Sequence, residues 1–177
     1  MLQLLLTNIH SQNSINGNSI QWRIIVTIAN INGDFEQKMW SIAILGRLRF
    51  TIKESVYELD NILSISEKGN KEVVVYLSMC FGNPYGDPWN LDIVNEWVFR
   101  LSEMGVNTIS LSDTIGSSNT ESISSIFKSV FKNHSNIEFG AHLHSEPKTS
   151  YNKIKSAFEA GCRRFDGVIK GFGGCPM

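Results

Sequence analysis

From residue 51 onward the apolar positions recur in two alternating rhythms. Ile52, Val56, Leu59 and Leu63 stand at helical spacing, behind a Thr51-x-x-Glu54 capping box and before Gly69-Asn70. This pattern predicts a helix over 51–67. Val73-Val74-Val75-Tyr76-Leu77 follows, a β-branched run suited to a strand buried on both faces. Val94, Trp97, Val98 and Leu101 predict a second helix over 91–104, stopped by Gly105. Val106–Leu111 is the next strand. Ile123, Ile126, Phe127, Val130 and Phe131 mark a helix capped by Thr120. Ile137–Leu143 is a strand, Tyr151–Ala160 a helix ended by Gly161, and Arg164–Ile169 a further strand.

Strand starts at Val73, Val106, Ile137 and Arg164 are 33, 31 and 27 residues apart. A βα unit of about 30 residues implies parallel strands with crossover helices. Two architectures meet that rule, a (β/α)8 barrel and an open doubly wound sheet, and both gather chemistry at the C-terminal strand ends. Residues 1–50 carry less pattern. Arg23–Asn30 reads as a strand and Ile42–Leu45 as a second, while 1–21 is rich in Asn, Ser and Gln.

Composition narrows the class of partner. The 177 residues are 42% hydrophobic, enough for one domain with a core, and the formal charge is −1. Neither nucleic acid nor an anionic membrane suits a chain without basic clusters. No apolar stretch approaches the ~20 residues that span a bilayer, so a cytoplasmic protein is expected. Cys80, Cys162 and Cys175 form no Cys-x-x-Cys pair, which argues against structural zinc and for free thiols.

Candidate chemistry lies at the strand ends. His142 and His144, at i and i+2, point to one face, with Phe139, Ala141 and Leu143 on the other. Such a pair can hold one cation, or be two solvated polar residues. Cys175 lies in Gly171-Phe172-Gly173-Gly174-Cys175-Pro176, a flexible loop that can carry a reactive thiol or an incidental one. Cys80 and Cys162 read as core residues. Asp113 either orients a ligand or caps the following turn. Asp166 must be paired or face the site, with Lys170 as one neighbour that would neutralise it. Asn83 and Asp87 lie in the Pro/Gly-rich loop Phe81–Pro88 and read as turn formers.

Three segments carry a resemblance. Ser110-Leu111-Ser112-Asp113-Thr114-Ile115-Gly116, Gly140-Ala141-His142-Leu143-His144 and Gly171-Phe172-Gly173-Gly174-Cys175-Pro176-Met177 follow the order and spacing of hydroxymethylglutaryl-CoA lyases. Val74-Val75-Tyr76-Leu77-Ser78 and the Phe81–Pro88 loop resemble the bacterial branch. The resemblance covers 51–177 well and 23–37 weakly. It implies a TIM barrel that binds Mg²⁺ or Mn²⁺ and an acyl-CoA substrate; a homodimer is one assembly the sequence leaves open. It further implies cleavage of 3-hydroxy-3-methylglutaryl-CoA to acetyl-CoA and acetoacetate, in leucine degradation. His142 and His144 would be metal ligands, Cys175 the mobile-loop thiol in proton transfer, and Asp113 a polar residue near the substrate. The family's Asp-Arg pair has no counterpart in 1–50, and its metal-binding Asn would follow the cysteine loop. The expectation is therefore one incomplete barrel domain over 1–177, divergent in 1–50. An inactive fragment and, further off, an isopropylmalate- or citramalate-type condensing synthase are the competing readings.

Overall fold

A computed structural model describes residues 24–29, 41–42, 52–82 and 88–167, with side chains from Val56 onward. The elements, in chain order, are β1 (Ile24–Ala29), β2 (Ser41–Ile42), α1 (Ile52–Lys68), β3 (Glu72–Leu77), α2 (Leu91–Glu103), β4 (Thr108–Asp113), α3 (Thr120–Asn133), β5 (Glu138–Leu143), α4 (Pro147–Glu159) and β6 (Arg164–Phe165). They build one sheet in the order β2-β1-β3-β4-β5-β6.

β3 to β6 pair in parallel, each beside its predecessor in sequence. Because crossovers between parallel strands are right-handed, an order that never reverses puts every crossover helix on one side. A doubly wound sheet reverses direction and has helices on both faces. The choice left open by the strand spacing therefore falls to part of a barrel. Packing agrees with it: Val75, Leu77, Ile109, Leu111, Phe139 and Ala141 join the helix residues Val98, Leu101, Ile126 and Phe127 in one core. The alternate positions Val74 and Tyr76 form a separate small cluster on the other face. Each fully buried Leu, Ile or Phe in that core contributes about 1.5–3 kcal/mol of burial free energy.

β1 departs from the all-parallel expectation. It runs antiparallel to β3, from Ile24 opposite Leu77 to Ala29 opposite Glu72, and β2 runs antiparallel to β1. β2 thus runs in the direction of β3, and α1 is the crossover between them with β1 inserted.

Local signals account for most boundaries. Asn119, not Thr120, caps α3: its side chain accepts from the Ser122 N–H, and the Ser122 hydroxyl takes the Asn119 N–H. α2 is capped in the same way, Asn90 Oδ1 accepting from Ile93 N. α4 starts four residues before the predicted Tyr151, because Pro147 fits the first helical turn. α1 ends with Asn70 at φ 49 and Lys71 N donating to Ser66 O, a left-handed helix stop. Thr51, the expected cap of α1, lies outside the described residues.

Candidate active site

The inner face of the sheet turns polar toward its C-terminal end. Strand alternation puts Tyr76, Ser110, Ser112 and His142 on the face away from the helices. The parallel register sets Tyr76 beside Ser110, Ser112 beside His142, and Gly140 between Ser110 and Arg164. Asp166 follows β6 and anchors it by donating its N–H to Ala141 O.

His142 and His144 come together as their spacing predicts. Their ring centroids are 5.4 Å apart, and Tyr76 meets His142 edge-on at 5.5 Å. The His142 Nδ1 lies 3.8 Å from Asp166 Oδ2, with the carboxylate side chain only 2% exposed. That gap is too wide for a hydrogen bond, and Nδ1 is a buried polar atom without a hydrogen-bond partner among the described residues. Ser110 Oγ donates to the same Asp166 oxygen at 3.1 Å. Burial alone would raise the Asp166 pKa, but the polar contacts of His142, Tyr76 and Ser110 outweigh it and hold the carboxyl below its ordinary value. Asp166 is therefore an ionised carboxylate on the inner face, which settles the alternative the sequence leaves open. Lys170, its expected neutralising partner, lies outside the described residues.

His144 sits lower in pKa than a free imidazole. Burial is the main cause, and the neighbouring His142 and Lys153 add to it against the opposing pull of Asp113. A neutral imidazole is the form that donates a lone pair to a cation. A neutral His144 ring and a His142 ring whose Nδ1 side is backed by an ionised carboxylate thus fit a divalent-cation site. Among the described residues, no group of three or more His, Cys, Asp or Glu side chains converges on one point. The described donors are these two rings.

Asp113 takes a different place from its histidine neighbours. It alternates with Ile109 and Leu111, whose side chains enter the helix-side core, and it is 1% exposed. Its Oδ2 accepts from Ser118 N at 3.2 Å, from the Ser118 hydroxyl, and from Lys153 Nζ at 3.1 Å. Asp113 is both the turn cap and the partner of a buried lysine. Lys153 was not singled out by the sequence: a lone lysine on a helix is ordinarily a solvated one. The only hint is its spacing with Ser156 and Ala157, the small buried face of α4.

Two of the three thiols are inert core groups, as their surroundings in the sequence predict. Burial pushes Cys80 up to about 12 and Cys162 up to about 11. Cys175 lies outside the described residues, as do Asn83 and Asp87.

The HMGL-like family model matches residues 41–175, three quarters of the chain, including Ser110–Gly116, Gly140–His144 and the Gly-rich segment as far as Cys175. The chain belongs to the HMGL-like family. It is 32% identical over 127 residues to the hydroxymethylglutaryl-CoA lyase YngG of Bacillus subtilis, covering 70% of this chain and 41% of that protein. It is 25% identical to the (R)-citramalyl-CoA lyase of Chloroflexus aurantiacus, over 75% of this chain and 43% of that one. Among solved structures, an Acinetobacter baumannii HMG-CoA lyase in complex with coenzyme A and 3-methylmalate superposes with a TM-score of 0.64 at 27% identity, over 72% of this chain and 42% of that chain. The match to barrel lyases agrees with the strand order, so the fold is part of a TIM barrel. The chain spans about two fifths of the relatives it matches. Among the described residues, no helix is long and apolar enough to cross a membrane.

Proposed function

We propose that this chain carries part of the active site of a divalent-metal-dependent carbon–carbon lyase that cleaves 3-hydroxy-3-methylglutaryl-CoA to acetyl-CoA and acetoacetate. One observation carries the reading. The His142–His144 pair stands at the C-terminal end of a parallel barrel sheet, inside a matched family segment that also contains Cys175. In this reading His142 and His144 hold Mg²⁺ or Mn²⁺, which when bound polarises the carbonyl and hydroxyl oxygens of the substrate. The ionised Asp166 lies behind His142 and orients its ring, as carboxylates behind metal-ligating histidines do.

The remaining work is proton transfer. Loss of the tertiary hydroxyl proton lets the alkoxide collapse to the ketone of acetoacetate as the C–C bond breaks. The electron pair leaves on the thioester enolate, and its carbon takes a proton to give acetyl-CoA. In this reading Cys175, in its Gly-rich segment, supplies that proton. The setting this implies is leucine degradation in the cytoplasm, by an enzyme assembled as a homodimer.

The test is turnover by the intact protein, with acetoacetate and acetyl-CoA measured separately. Cys175→Ala is expected to abolish cleavage, and unchanged turnover would remove the thiol from the mechanism. Because one relative is a citramalyl-CoA lyase, citramalyl-CoA is assayed in parallel. Preference for it would keep the site and change the substrate.

A further inference from the structure

We propose that Lys153 is a positioning residue for the metal site, holding His144 in place through its main-chain carbonyl, and that Asp113 acts through Lys153 rather than on the substrate. The inference rests on the metal reading of His144 above.

Lys153 projects from α4 into the protein and is 6% exposed. An ammonium has three protons to donate, and three acceptors from three segments take them. Nζ lies 3.1 Å from Asp113 Oδ2 at the end of β4, 3.1 Å from Gly116 O in the following loop, and 2.9 Å from His144 O just past β5. Asp113 is itself fixed by the Ser118 N–H and hydroxyl. The loop closes on His144 from a second side: a Cβ built on Gly116, whose φ is +72, would lie 3.7 Å from His144 O.

A buried cation is costly unless its partners are complete, and here they are. Two of the three acceptors are carbonyls of the loops that frame the site. The peptide unit is rigid, so fixing the His144 carbonyl constrains the direction in which its side chain leaves the backbone. At Asp113 one carboxylate oxygen, Oδ2, carries the strut by accepting three protons, while Oδ1 is buried without a hydrogen-bond partner among the described residues. One turn along, Ser156 Oγ donates to Thr120 O at 2.6 Å and ties the same helix to the start of α3. α4 is thus a brace for both loops at the rim.

Outer-shell partners of metal ligands are commonly worth 10–100-fold in affinity. The experiment compares the intact parent protein with Lys153→Met, Asp113→Asn and the double variant, using Mn²⁺ titration calorimetry, thermal unfolding and ¹H–¹⁵N spectra of the histidine rings. Lys153→Met alone strands a buried carboxylate and is expected to be destabilised. The double variant removes both charges and keeps an acceptor for Ser118, so its folding recovers. Its Mn²⁺ affinity is nevertheless expected to stay about 10–100-fold below the parent, with shifted His144 ring signals and unmoved His134 signals. Asp113→Asn alone leaves the buried ammonium without its counter-charge and is expected to be destabilised, but it keeps the lysine on the His144 carbonyl and, once folded, should bind Mn²⁺ close to the parent.

Parent-like affinity and His144 signals in the double variant would show a merely structural pair and overturn the proposal. So would an affinity loss in Asp113→Asn equal to that of the double variant, since the effect would then belong to the carboxylate. If the parent binds no Mn²⁺, the metal reading fails by itself. The anchor is then decided by the metal-free ring spectra, where unmoved His144 signals in the double variant refute it.

Discussion

Replacing Asp166 with Asn keeps the shape of the side chain and removes its charge, which isolates what that charge does for His142. The carboxylate is 2% exposed, accepts from Ser110 Oγ at 3.1 Å and lies 3.8 Å from His142 Nδ1. A hydrogen bond to a charged group contributes about 1.5–3 kcal/mol, and relief of the burial cost of a carboxylate offsets much of that. Folding stability should therefore change by only about 1 kcal/mol. The ligand ring behaves differently. Without the carboxylate, Nδ1, which already lacks a hydrogen-bond partner among the described residues, loses the charge that stands beside it. A fall of about 10–100-fold in Mn²⁺ affinity is expected, equivalent to roughly 1.4–2.7 kcal/mol. Titration calorimetry at neutral pH reads the affinity, and thermal unfolding of the same samples reads the stability. His142→Ala serves as the reference for a lost ligand. An Asp166→Asn protein that binds Mn²⁺ as the parent does, while His142→Ala does not, would refute a role for this carboxylate behind the ligand.

Two further outcomes follow from the buried titratable groups. His134 and His144 are both held below the ordinary histidine value near 6.5, chiefly by burial. The unfolded chain then binds more protons than the folded one, so metal-free stability should be full above pH 6.5 and decline as the pH falls below it; urea unfolding at pH 5.5 and 7.5 checks this, and greater stability at the lower pH would contradict it. Cys80 and Cys162, fully buried and with thiols pushed up to about 12 and about 11, should resist iodoacetamide in the folded protein and react in urea. Peptide mass spectrometry reads each site, and fast native labelling of Cys80 would show that β3 and its turn open readily.

Much of the fold was written in the periodicity. Val94, Trp97, Val98 and Leu101 repeat at helical spacing and are the residues α2 buries. Val73–Leu77 is β-branched and apolar on both faces because helices cover one side and the barrel interior the other. The His142/His144 pairing was equally legible, because side chains two apart on a strand share a face whatever else surrounds them. What periodicity left open was direction and depth. β1 looks like any strand in sequence, and only its pairing with β3 makes it antiparallel.

α4 shows the limit most plainly. Tyr151, Ile154 and Phe158 stand on its exposed side, while Lys153, Ser156 and Ala157 face inward. Apolar spacing alone would rotate the helix the other way. It is turned by Asp113, Gly116 and His144, whose charge and carbonyls are offered by two separate strand ends and repay the burial of an ammonium. Local sequence fixes which residues share a face, since that depends on backbone geometry over a few residues. Which face turns inward, and whether Asp113 and Asp166 serve a lysine or a histidine, depends on groups 40 and 24 positions away that only the assembled sheet brings within reach.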